Sequence, residues 1–291
     1  MTEQTYRLHE DAPLFREAVN FTAAQTGFLP RLIEKDYFCA VLLSRLVEAK
    51  DLVFKGGTCL AKVHAGFYRL SEDLDFTIPM AVNASRSDRR RAVESVKNSI
   101  AHIAEHQPVF SPSTPLTGAN NSTQYNGVVE YRSLVTDESE SILVEVSLRE
   151  PLLTPTFEGP ANTMLLSPIT ARPMLQPLPV VCISRLEAMA EKFRAALTRR
   201  EVAIRDFFDI DYAVRNWGLD ATSHELIEIV RQKITIPGNA EVDVSPERMV
   251  DLARQVDARL RPVLRDDDLK AFDLSRAIKH VMCMAEGVAG S

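Results

Sequence analysis

Asp73 and Asp75 stand two residues apart between the apolar Leu74 and Phe76. On a strand, that spacing puts both carboxylates on one face and both apolar side chains on the other. Adjacent carboxylates repel unless a cation lies between them, and a hard divalent ion that takes oxygen ligands and bridges to phosphates suits the pair. Upstream lies Lys55-Gly56-Gly57-Thr58-Cys59-Leu60. Two glycines allow a ligand close to the backbone, Thr58 can cap a helix and offer a hydroxyl, and a helix N-terminus attracts anions. Separately, a Gly-Gly pair is an ordinary turn and an Asp-x-Asp an ordinary wet strand edge. In this order they point to nucleotide chemistry.

These residues need elements to hold them. Leu52, Val53 and Phe54 form a short apolar strand pattern, and the run from Thr58 to Ala65 is apolar enough to open a helix, giving strand, turn, helix. Before it, helical spacing covers about Ala12 to Thr26 and stops at Gly27; Pro30 then begins a second helix to about Ala49. Glu34, Lys35 and Asp36 read as exposed first-turn charges. Arg86 to Glu105 reads as one amphipathic helix, with Arg86, Arg89, Arg90 and Arg91 on a solvated face that would meet RNA phosphates if it bordered a cleft. The proline-containing stretch from His106 to Gln124 reads as a loop, and strands are expected over Gly127 to Val135 and Ser141 to Leu148. In the second strand Ile142, Val144, Val146 and Leu148 share a face, leaving Glu145 on the polar one. Proline-rich Glu150 to Pro179 is expected to be an extended connection, dividing a core of residues 1–150 from a mainly helical part of residues 151–291. Val180 to Ile183 suggests a short strand, and Ser184-x-x-Glu187 a capping box opening a helix through Leu186, Ala190, Phe193 and Leu197. Lys192 lies off that apolar stripe. Asp206 and Asp209 are one turn apart, and Asp206 could instead pair with Arg205 or cap its helix. Three more helices are expected, over Thr222 to Lys233, Ser245 to Leu264 with Pro262 ending it, and Asp268 to Ala285.

With 291 residues the chain can bury a large core as one domain or two packed ones. A formal charge of −6 argues against a protein coated in basic surface, though not against a local basic groove. No apolar run is long enough to span a membrane, and the first residues lack a basic segment followed by an apolar one, so a cytoplasmic protein is expected. Cys39, Cys59, Cys182 and Cys283 are far apart in apolar surroundings, which suggests reduced core residues rather than disulfides or zinc ligands. His102 and His106 are four apart but lack a third partner, and the histidines show no ligand spacing.

Ile33-Glu34-Lys35-Asp36-Tyr37-Phe38, Lys55-Gly56-Gly57-Thr58 and Arg69-x-Ser71-x-Asp73-Leu74-Asp75-Phe76 together resemble the AbiEii/AbiGii toxin family, which includes the MenT toxins, within the nucleotidyltransferase superfamily. Glu187 to Ala195, then Arg199 or Arg200 and Arg205-Asp206-Phe207-Phe208-Asp209-Ile210, resemble the family's second signature. The resemblance covers roughly Ile33 to Tyr212. It implies an α+β fold, a nucleotidyltransferase-like mixed sheet with flanking helices followed by a helical C-terminal part. It further implies that Asp73, Asp75 and Glu145 are metal ligands and catalytic, with Glu145 standing where many relatives carry Asp. Lys55, Gly56, Gly57, Thr58, Ser71 and Lys192 would bind nucleotide, and Lys192 and Asp209 would belong to the active site, with a supporting role open to Lys35 or Asp36. The implied cofactor is Mg²⁺, with Mn²⁺ as an alternative. NMP would pass from an NTP to the 3′ end of tRNA, arresting growth, and a cognate antitoxin is the implied partner. The same superfamily chemistry could instead attach AMP to a protein hydroxyl, and a nucleotide-binding module without turnover is the remaining alternative.

Overall fold

The computed structural model describes residues 6–290. α1 (Ala12–Thr26) starts where the Asp11 side chain accepts the Leu14 amide, and stops at Gly27, whose φ of 78° is left-handed. α2 (Pro30–Leu46) takes its first position from proline. It is buried on every side, from Leu32 through Leu43. That corrects the expectation of exposed first-turn charges: the helix is enclosed by the core, and its charges must find partners there. The Glu34 carboxylate accepts from the Ser133 hydroxyl and the Leu134 amide. Lys35 pairs with Glu140 at 3.3 Å, and Asp36 with Lys62 at 2.5 Å.

β1 (Val53–Lys55) runs straight into the helical turn α3 (Gly56–Cys59), which continues through a wider turn, Leu60–His64. β2 (Leu74–Thr77) follows. The expected helix after it is broken at Val93 and His102 into α4 (Arg86–Ala92), α5 (Glu94–Ala101) and α6 (Ile103–His106). Arg89 is not on a solvated face: it is buried and donates to the Val82 and Leu148 carbonyls.

The stretch expected to be a loop is largely a strand, β3 (Phe110–Ala119), antiparallel to β4 (Gln124–Arg132). Prolines hid it. They are tolerated because β3 is an edge strand whose register shifts between Pro112 and Thr114 and again before Thr117. β5 (Ser139–Ser147) pairs with β4, and β6 (Phe157–Ala161) lies inside the proline-rich connection and pairs with β7 (Leu178–Cys182). The seven strands make one mixed sheet in the order β3-β4-β5-β2-β1-β7-β6, with β2–β5 and β1–β7 parallel.

The remaining elements are helices: α7 (Arg185–Thr198), α8 (Ile204–Trp217), α9 (His224–Ile234), α10 (Pro246–Gln255), α11 (Asp266–Ala271) and α12 (Leu274–Ala289). Pro262 falls in a tight turn, Arg261–Val263, after α10. Two compact units result. The first runs through Leu152 and resumes over Thr156–Ile183, holding the whole sheet; the second comprises Leu153–Pro155 and the chain from Ser184. In the second unit Ser184 caps α7 by accepting the Glu187 amide, but Glu187 does not complete a capping box. Its carboxylate is taken by the Leu153 and Thr154 amides, the Thr154 hydroxyl and Lys233. No helix among the described residues is long and apolar enough to cross a membrane.

Candidate active site

The strand register builds the acidic site. Lys55 of β1 is opposite Asp75 of β2, Asp75 is opposite Glu145 of β5, and Glu145 is opposite Asn126 of β4. Residues directly opposite on neighbouring strands share a face, so these four polar side chains form one row across the sheet. Leu74, Phe76, Val144 and Val146 are buried on the other face, which is why this row cannot turn inward. Asp73 immediately precedes β2.

Each glycine of the turn is explained by a neighbour. Gly56 has φ of +74°, and a Cβ there would fall 2.0 Å from Asp75 Oδ2, so only glycine lets the turn pass this close to the carboxylate. A Cβ on Gly57 would lie 2.6 Å from Arg69 Nη2 and 3.0 Å from Ser71 Oγ. Arg69 is buried and donates to the Leu70 carbonyl. The capping expected of Thr58 is not found: Lys55 occupies the N-cap, without a side-chain cap bond, and the buried Thr58 hydroxyl donates to the Asp73 carbonyl. Thr58 thereby ties α3 to the acid-bearing segment.

Oxygen donors on two paired strands, a third acid immediately upstream, and a turn lacking a Cβ at the Asp75 carboxylate fit a hard divalent cation. Such an ion would be held by Asp73, Asp75 and Glu145. Lys55 and the turn's backbone amides supply positive character beside them.

Lys192 and Asp209 lie in the second unit. Lys192 Nζ is 2.8 Å from Asp209 Oδ2 and 2.8 Å from Asp206 Oδ1, while Arg199 reaches the other Asp206 oxygen at 3.0 Å. Both aspartates therefore face the lysine, and Asp206 neither caps nor turns to Arg205. Asp206 and Asp209 are buried, a position carboxylates hold only when paired. A concavity of about 440 Å³ in the same unit, lined by Arg200, Arg248, Arg254 and Arg259 among acids of the opposite sign, contains none of the expected site residues.

A third cluster was not expected. Cys59, His64 and Cys182 bring one ligand atom each within 4.8 Å of one another, the only such set of three among the described residues. Cys59 and Cys182 are buried and in no disulfide, as the core reading has it, but they adjoin one another and His64. Pairing of Phe54 with Cys182 across the parallel β1–β7 pair brings the second sulfur beneath α3, and nothing local in the sequence announces that pairing. Cys39 does fit the core reading, its thiol pushed up to about 12 by burial. Arg69 and Asn126 were also missed as neighbours of the site. Their only signal is position: Arg69 lies two residues before Ser71, and Asn126 is revealed by register alone.

A family model described as nucleotidyl transferase AbiEii toxin, type IV toxin–antitoxin system, matches residues 39–276. No curated protein matches the chain significantly. Among solved structures, the chain is similar to JHP933 from Helicobacter pylori, with a TM-score of 0.52 and 15% identity over 90% of this chain and 93% of that one. It is also similar to a Helicobacter pylori protein provisionally described as a nucleotidyltransferase, with a TM-score of 0.51 and 15% identity over 89% of this chain and 94% of that one. At that identity the likeness establishes the fold.

Proposed function

Because the chain belongs to the AbiEii nucleotidyl transferase toxin family of type IV toxin–antitoxin systems, we propose that it moves NMP from an NTP to the 3′ end of tRNA, blocking translation. The row of Lys55, Asp75 and Glu145 beside Gly56 carries this reading, since it sets a glycine turn next to oxygen ligands on adjacent strands. The tRNA end is the acceptor that resemblance to the MenT toxins implies, and a cognate antitoxin is the partner that the family description implies.

Lys55, Ser71 and the amides of Gly56 and Gly57 hold the triphosphate, with Thr58 fixing the turn against Asp73. Asp73, Asp75 and Glu145 would hold Mg²⁺ or Mn²⁺, and the chemistry such an ion would supply there is positive charge against that developing on the α-phosphate and the leaving pyrophosphate. The acceptor hydroxyl oxygen forms the new bond to the α-phosphorus, the bond to the β-phosphate oxygen breaks, and Glu145 receives the hydroxyl proton. Asp209 is the alternative base. Lys192, 2.8 Å from both Asp206 and Asp209, is the residue to which the family resemblance gives the role of binding nucleotide phosphate. Positioning and charge stabilisation supply most of the rate.

The test incubates the protein with Mg²⁺, total tRNA and each α-labelled NTP in turn, beside Asp73→Ala and Asp75→Asn, with labelled RNA resolved on a denaturing gel. Labelled tRNA that disappears in both variants is expected. Absence of labelled RNA with every NTP, from folded protein that still binds nucleotide, overturns the tRNA acceptor; label on a co-expressed protein would replace it by a protein hydroxyl.

A further inference from the structure

We propose that Cys59, His64 and Cys182 form a second metal site, distinct from the oxygen-rich row and selective for a borderline-soft ion, with Zn²⁺ as its natural occupant. Their ligand atoms already lie within 4.8 Å of one another. Zinc with two thiolates and one imidazole holds those atoms about 3.7 Å apart, a difference that small side-chain rotations cover. The oxygen ligands of Asp73, Asp75 and Glu145 suit Mg²⁺, whereas sulfur and imidazole suit zinc, so ligand chemistry alone would sort two metals between the two sites.

The surroundings are those of a ligand set. His64 Nε2 lies 3.2 Å from the Ile183 carbonyl, an acceptor only, so Nε2 carries the proton and Nδ1 carries the lone pair that can bind metal. Orientation of a ligating imidazole by a backbone carbonyl at its other nitrogen is the usual arrangement around zinc. Neither cysteine is in a disulfide, so both sulfurs can ligate as thiolates. Both cysteines are buried and His64 is half-buried, so an ion enters from the histidine side, where solvent can complete its coordination.

The site also has a definable place in the fold. Cys59 ends α3, His64 ends the wider turn that follows, and Cys182 ends β7. An ion there clamps the helical turn that begins at Gly56 onto the far side of the central strands. Its binding therefore stabilises the first unit whether or not the chain transfers nucleotides.

The test uses the full chain, reduced and freed of metal with a chelator, and titrates it with Co²⁺ as a spectroscopic probe and then with Zn²⁺. One equivalent of Co²⁺ should produce thiolate-to-cobalt charge-transfer absorption and the strong visible bands of a four-coordinate ion. Zn²⁺ should abolish both, excess Mg²⁺ should not, and Zn²⁺ should raise the melting temperature. Cys182→Ser should lose the charge-transfer band, and His64→Gln, at a half-buried position, should bind Co²⁺ at least about tenfold more weakly. The Cys39→Ala/Cys283→Ala double variant should keep the full signal. Absence of a thiolate–cobalt signal in the reduced wild-type chain overturns the proposal without recourse to any variant. So does a signal unchanged by Cys182→Ser in folded protein. A Cys59–Cys182 disulfide recovered from acid-quenched cells would overturn it in favour of a redox pair.

Discussion

Gly56 acts through the atom it lacks. Its φ of +74° and the 2.0 Å approach of a would-be Cβ to Asp75 Oδ2 make Gly56→Ala both strained and obstructive. That substitution should cost about 1–3 kcal/mol in urea unfolding and lower tRNA labelling at least about tenfold. Gly218 is the control, with φ of +65° and nothing within 4 Å of a Cβ. Gly218→Ala should cost only about 1 kcal/mol and leave labelling intact. Glu34 allows a pH test. Burial, partly opposed by the Ser133 and Leu134 hydrogen bonds, raises its pKa, so the folded chain holds this proton more tightly than the unfolded one. Its contribution is then fully present below the ordinary Glu range and is lost as pH rises through the raised folded value. Glu34→Gln should keep the partners and remove the titration, so its stability relative to wild type should improve as pH climbs from about 4 to 7 in paired urea melts. At this scale the acids and the glycine pair were legible from residue type and spacing. The neighbours that make each glycine necessary were not, because Asp75 and Arg69 reach them only through folding.

Helices and strands differed in how openly they declared themselves. α1, α7 and α9 follow their capping residues and periodicity closely, since those signals are local. α2 was legible as a helix but not as a buried one, because Glu34, Lys35 and Asp36 are charged and their partners come from distant segments. β3 was hidden by prolines that an interior strand would reject and an edge strand accommodates. Between α7 and α9, Lys233 meets Glu187 at 2.8 Å with both side chains buried. Lys233→Met should cost about 3–5 kcal/mol, because a buried carboxylate loses its counter-charge. Adding Glu187→Leu should not restore stability, since the Leu153 and Thr154 amides would lose their acceptor; urea unfolding of the single and double variants distinguishes this from a simple charge pair.

At the scale of the whole molecule, the first unit holds the entire sheet, the acidic row and the cysteine–histidine cluster, whereas Lys192 and Asp209 belong to the second. A fragment of residues 1–183 should unfold in one cooperative transition in calorimetry and bind Co²⁺ with a thiolate signal, yet fail to label tRNA. The sequence by itself determined the strand–turn–helix with its glycine pair, the Asp-x-Asp, the polar face of β5 and the helical end of the chain. These depend on periodicity and on residue chemistry over a few positions. Tertiary structure decided which strands are neighbours. The order β3-β4-β5-β2-β1-β7-β6 interleaves distant segments, so the row from Lys55 to Asn126 and the meeting of Cys59 with Cys182 exist only once β5 and β7 flank the first hairpin. Strand pairing is set by burial and hydrogen bonding across the whole sheet, and no stretch of chain carries that information alone.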